Sequence, residues 1–117
     1  MVKSKFGELK IDYVGFTCPV QKAVMIIGDK WTLFIIREFI YGKEKQGFND
    51  LLRALKPISS RTLSLKLKKL QECRIIKRKI INARPVKVEY SLTERGTSLR
   101  KPLKEMGKWF KMVESSV

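Results

Sequence analysis

Between residues 58 and 92 the hydrophobic period of the chain changes from that of a helix to that of a strand. In ISSRTLSLKLKKLQECRII, residues 58–76, Leu63, Leu67 and Leu70 recur on one helical face. Ser59 stands where an N-cap belongs, so the spacing predicts a helix running to about Glu72. From there Ile76, Arg78, Ile80 and Asn82 alternate with Lys77, Lys79 and Ile81, and Val86, Val88 and Tyr90 resume the alternation. This predicts a β-hairpin with its tip at Asn82 to Lys87, where Pro85 favours a loop over continuous strand. A helix that buries one leucine stripe, followed at once by a hairpin, restricts the chain to a few small α+β arrangements.

The other segments read as helices around this pair. Residues 1–17 are mixed; their Tyr13, Val14 and Phe16 suit packing on the domain or on a second chain. CPVQKAVMIIGDKW has Pro19 at a first-turn position, Val20, Val24 and Ile27 at helical spacing, and Gly28 as a stop. WTLFIIREFIYG is apolar nearly all round, at Leu33, Ile36, Phe39 and Ile40, and should be the most buried helix. KEKQGFNDLLRALK is a polar turn leading into a short helix opened by Phe48 or Asn49, with Leu51, Leu52 and Leu55 inward and Pro57 at its end. The tight KPIS connection to the next helix is of the kind that joins a helix-turn-helix pair. After the hairpin, Thr93 should cap one last helix. Leu99, Leu103, Met106, Phe110 and Val113 form a heptad seam on it, Trp109 broadens the seam, and Pro102 is expected to kink the helix.

A chain of 117 residues suits one domain, residues 1–117, with a real core. With 44% hydrophobic and 32% charged residues it reads as globular. No apolar run approaches the ~18 residues of a membrane span, and MVKSKFGELK lacks a signal-peptide core, which points to the cytoplasm. There is no His, the carboxylates are scattered, and no Gly-rich phosphate loop occurs. Two cysteines, Cys18 and Cys73, make neither a disulfide scaffold nor a metal-ligand spacing. An enzyme, a metal site or a cofactor is therefore not expected.

Charge says more. Twenty-six Lys and Arg against eleven Asp and Glu give +15 and a pI near 10.1. Such a balance suits a polyanionic partner, nucleic acid before an anionic membrane surface, although a merely solvated basic surface has the same count. The distribution favours a partner: residues 57–90 hold ten basic and two acidic residues. Opposite the leucine stripe lie Arg61, Leu65, Lys68 and Glu72, flanked by Thr62, Ser64 and Lys69. An ordinary amphipathic helix would look similar, but Lys77, Arg78, Lys79, Arg84 and Lys87 carry the charge on into the hairpin. A helix in the major groove beside a basic hairpin on the backbone is winged-helix geometry. Candidate DNA contacts are Ser59, Ser60, Arg61, Thr62, Ser64, Leu65, Lys68 and Lys69 on the helix, and Arg84 and Lys87 on the hairpin. Arg61 suits a guanine, and Leu65, odd on a solvated face, suits a thymine methyl.

In this light CPVQKAVMIIGDKWTLFIIREF, GFNDLLRALKPISSRTLSLKLKKLQE and VEYSLTERG, taken in order, resemble the HxlR-type family of winged helix-turn-helix transcriptional regulators. The resemblance covers roughly residues 18 to 113. It implies a homodimer on double-stranded DNA at a pseudo-palindromic operator, with a helix-turn-helix at 48–72, a wing at 75–92 and a C-terminal dimerisation helix at 93–114. The N-terminal arm would be residues 1–17. Leu99, Leu103, Met106, Trp109, Phe110 and Val113 would form the dimer, and two recognition helices would then sit about 34 Å apart. The resemblance also matches Cys18 to the position of thiol sensors in some members, so an oxidant or small-molecule effector is compatible with it. Two departures stand out: Arg74 occupies a position usually held by Gly at the turn into the wing, and Ser60 one where Pro is common. The alternatives are a non-specific packaging protein of the same fold, an RNA binder without an exposed aromatic platform, and an adaptor that leaves the basic patch unused.

Overall fold

A computed structural model describes residues 15–116, in the order α1 (Pro19–Ile27), α2 (Lys30–Tyr41), α3 (Phe48–Ala54), α4 (Ser60–Glu72), β1 (Ile76–Ala83), β2 (Val86–Leu92), α5 (Glu94–Thr97) and α6 (Arg100–Ser115). The architecture is the expected mainly helical α+β winged helix-turn-helix. Of the apolar residues assigned to the N-terminal arm, Phe16 is half-buried, and Tyr13 and Val14 lie outside the described residues.

Local chemistry sets most of the boundaries. Asp29, Ser59 and Thr93 each stand in extended backbone and accept an amide hydrogen bond three residues on, from Thr32, Thr62 and Gly96. At the end of α4 the Arg74 amide donates to the Gln71 carbonyl and the Ile75 amide to the Leu70 carbonyl, both at 2.9 Å. That pair of bonds is the Schellman stop, and it puts Arg74 at φ 58°. A side chain in this region costs roughly 1–2 kcal/mol. The neighbouring chain offsets it: the Thr93 hydroxyl donates to the Arg74 carbonyl at 2.6 Å, the Thr93 amide to the Ile75 carbonyl at 3.0 Å, and Arg95 to the Cys73 carbonyl at 3.2 Å. The turn expected of a glycine is thus made with arginine.

The core gathers around α2, whose Ile35, Ile36, Phe39 and Ile40 are buried; Phe34 and Tyr41 of the same helix are exposed, so it is buried on one side and not all round. Leu51, Leu55 and Ile58 meet it from α3 and the turn, Leu63, Leu67 and Leu70 from α4, and Ile75, Ile76 and Tyr90 from the wing base. β1 and β2 pair antiparallel from Ile76 with Leu92 to Ala83 with Val86, with a bulge at Ile81 that shifts the register. Gln46, within a segment expected to be only a turn, exchanges two backbone bonds with Tyr90 and adds a one-residue third strand. Its buried side chain donates to the Lys43 carbonyl at 2.9 Å.

Three expectations need correction. The α1 periodicity is helical, but Val20 and Val24 are exposed and Ile26 enters the core. The hairpin strands run further than the alternation suggested: Asn82 pairs with Lys87, and the turn narrows to Arg84 and Pro85. The C-terminal helix is two helices, broken at Ser98 and Leu99. Pro102 therefore falls in the first turn of α6, where no intrahelical bond needs its missing N–H, and it kinks nothing.

Candidate nucleic-acid interface

The leucine stripe seats α4 firmly. Leu63, Leu67 and Leu70 are essentially inaccessible, so the opposite side must face outward. Arg61, Ser64, Leu65 and Lys68 are all exposed there, and Glu72 alone is acidic, at the far end of the helix. Among the described residues no ion pair engages Arg61 or Lys68. Two exposed cations without an ion pair on the outward side of the helix suit an external anion.

The first turn is more specialised. The Ser59 oxygen accepts the Thr62 amide at 3.0 Å, and its hydroxyl donates to the Thr62 hydroxyl at 2.9 Å. Ser59 and Thr62 therefore work primarily as the cap that opens the helix, while Ser60 beside them is exposed and without such a bond.

Lys69 is held differently from Lys68. Its ammonium donates to the Met25 carbonyl in the last turn of α1 at 3.3 Å, and Lys66 stands 3.3 Å from the Asp29 carboxylate. Both lysines lie on the flank that meets the α1–α2 corner. Asp29 was missed in the sequence, although an Asp just before the apolar run of α2 is a recognisable helix start. Burial pushes its carboxyl up, but the Thr32 hydroxyl and amide and the Lys66 ammonium outweigh that and hold it below the usual carboxylate range.

On the hairpin, Lys77, Arg78, Lys79, Arg84 and Lys87 are exposed. Arg84 is at the turn itself, where its amide donates to the Asn82 side chain at 3.3 Å. The wing thus carries exposed cations along its strands and at its turn.

The two thiols differ. Cys18 is exposed at the N-cap of α1, where the Gln21 and Val20 amides hold its pKa below the ordinary thiol value. Cys73 is buried at the end of α4, and burial pushes its pKa up.

The intended dimer seam divides as well. Leu99 and Leu103 are half-buried against their own core, whereas Met106, Trp109, Phe110 and Val113 are exposed, together with Met112. No residue of α6 is buried.

Comparison with known proteins agrees with this geometry. A family model described as HxlR-like helix-turn-helix matches residues 26–116. The transcriptional regulator YodB of Bacillus subtilis is 33% identical over 93 residues, 79% of this chain and 81% of that protein. YvaP of the same organism, an uncharacterised HTH-type transcriptional regulator, is 38% identical over 79% of this chain and 84% of its own length. The oxidised form of the redox regulator HypR superposes with a TM-score of 0.72 at 36% identity, covering 81% of this chain and 96% of that one. With the helix-turn-helix, the wing and the exposed basic face in place, the chain belongs to the HxlR-like helix-turn-helix family of DNA-binding transcriptional regulators.

Proposed function

We propose that the protein binds a pseudo-palindromic operator as a homodimer, with α4 in the major groove and the wing across the adjacent backbone. The observation that carries this reading is the exposed side of α4. Arg61, Ser64, Leu65 and Lys68 are held outward by a fully buried leucine stripe and continue into a basic hairpin. Ser60, Arg61, Ser64 and Lys68 supply base or phosphate contacts, Leu65 an apolar one, and Arg84 and Lys87 contact phosphate. Ser59 and Thr62 support these contacts by capping the helix. Lys69 contacts phosphate with the N–H groups that its bond to the Met25 carbonyl leaves over. The dimer forms through Met106, Trp109, Phe110 and Val113 of α6, with Leu99 and Leu103 serving the fold beneath them. Val20 and Val24 on α1 are exposed as well.

DNA binding by fluorescence anisotropy tests this reading, with the protein's own upstream region as probe, scrambled competitor, and two salt concentrations. A preference that survives competitor and is lost in Arg61→Ala supports a sequence-specific regulator. Equal binding to both DNAs, with a steep salt dependence and no special loss at Arg61, supports non-specific packaging instead.

A redox response through Cys18 is a second reading, favoured by its exposure and by amides that stabilise the thiolate. The similarity to a redox regulator, HypR, points the same way. A Cys18→Ser variant that keeps DNA binding but no longer responds to oxidant supports it; an unchanged response removes it.

A further inference from the structure

A single exposed leucine on a protein surface is ordinary. Leu65 is unusual for its place. It is 58% exposed, one helical turn beyond Arg61 and just short of one turn before Lys68, on the side of α4 that faces away from the core. The other three leucines of the helix are at most 1% exposed, so the fold already has its apolar stripe and makes little use of a fourth.

The major groove offers one apolar group on a base edge, the C5-methyl of thymine. Guanine and adenine present acceptors or donors there, and cytosine an amino group. A leucine pressed against any of those would strip water from a polar atom and return no hydrogen bond. Against a methyl group it loses nothing and buries apolar surface on both sides. A leucine presented to the groove at this place would therefore discriminate by what it rejects as well as by what it contacts.

Spacing adds a second constraint. Four residues of α-helix rise about 6 Å, and successive base pairs about 3.4 Å. Arg61 and Leu65 thus reach base edges roughly two base pairs apart where the helix follows the groove. We propose that α4 reads a guanine with Arg61 and the C5-methyl of a thymine with Leu65, about two base pairs apart, in each operator half-site. This rests on the DNA-binding reading above and narrows it to a base composition.

The test starts by selecting duplexes from a random pool with the full-length protein. Each thymine of the recovered site is then replaced, one at a time, by deoxyuridine, which removes the methyl and nothing else. Wild type, Leu65→Ala, Leu65→Gln and Arg61→Ala are titrated on each duplex, with circular dichroism to confirm folding. One thymine per half-site should respond, its replacement weakening wild-type binding about fourfold. That is the ~0.8 kcal/mol of one buried methyl at 1.4 kcal/mol per tenfold. Both Leu65 variants should bind the thymine and deoxyuridine duplexes alike at that position. The responsive thymine should lie about two base pairs from the guanine that Arg61→Ala ceases to distinguish. A recovered consensus with a silent deoxyuridine scan, or Leu65 variants that still distinguish the methyl, overturns the proposal and leaves the DNA-binding reading standing. A selection that yields no consensus overturns both.

Discussion

The Lys66 ammonium lies 3.3 Å from the Asp29 carboxylate, tying the outward-facing helix α4 to the corner between α1 and α2. The same carboxylate accepts the Thr32 amide at 3.0 Å and the Thr32 hydroxyl at 2.7 Å, so one side chain serves a helix cap, a buried hydroxyl and an interhelical ion pair. The pair itself is partly exposed and adds little; the cap and the hydroxyl matter more.

Asp29→Ala should therefore destabilise the fold by about 1–2 kcal/mol, and Lys66→Ala by well under that. Urea unfolding of the two variants decides the ranking, and an equal loss would mean that the ion pair dominates. The depressed Asp29 pKa fixes the direction with pH. Its contribution is complete above the ordinary carboxylate value and fades as pH falls through that value and the lower folded one. The gap between wild type and Asp29→Ala should accordingly narrow below about pH 4.

Gly96 is the tightest point of the wing base. It is buried in α5, and a Cβ there would run into the Ile75 carbonyl, on the turn that Thr93 also holds. Backbone cannot swing aside as a flexible side chain can. Gly96→Ala should cost about 1–3 kcal/mol by overpacking, measured as a lower urea midpoint with an unchanged slope. A neutral result would show that α5 shifts freely against the end of α4.

These two sites mark what was legible in the sequence and what was not. The Ser59 cap and the Leu63, Leu67 and Leu70 stripe are local patterns, and each stands as read; the alternation from Ile76 located the hairpin but not its bulge or its turn. The helix break at Ser98 and Leu99 is local too, but Pro102 pointed to a kink inside one long helix when it marks the first turn of a second. The contact between Gln46 and Tyr90 joins residues far apart in sequence through a single residue on one side, too short to leave a period. Lys69 could not be told from Lys68 by composition. Only the packing of α1 shows that one meets the Met25 carbonyl while the other faces out. Val20 and Val24 carried the right period for a helix, but a period cannot say whether an apolar face meets its own core or another chain.

The two cysteines should react very differently. Thiolate is the reactive form, and Cys18 is exposed with its pKa lowered by helix N-terminal amides, whereas Cys73 is buried with its pKa raised. Iodoacetamide at pH 7 should label Cys18 first and leave Cys73 intact until the protein is unfolded. Mass spectrometry against time resolves the order. The pH profile of the Cys18 rate should have its midpoint below the ~8.5 of a free cysteine, and a midpoint at or above that value would remove the helix-terminus effect.

The helix α6 has sixteen residues and none of them is buried. Trp109 is 60% exposed and Phe110 55%, beside Met106, Met112 and Val113, and Pro102, Glu105, Met106, Trp109 and Phe110 line one groove along it. An apolar surface of this kind needs a cover in water, and a two-fold arrangement of the same surface on two copies supplies one. Trp109→Glu with Phe110→Glu should convert a dimer to a monomer in light scattering after size exclusion. Far-ultraviolet circular dichroism should change little, because neither side chain supports the domain core. Since operator contacts come equally from both copies in this reading, the monomer should also lose affinity for a palindromic site and show a salt slope roughly half as steep, in proportion to the phosphates contacted. A wild-type protein that is monomeric at concentrations where DNA binding saturates would overturn the assignment of this surface to a second copy.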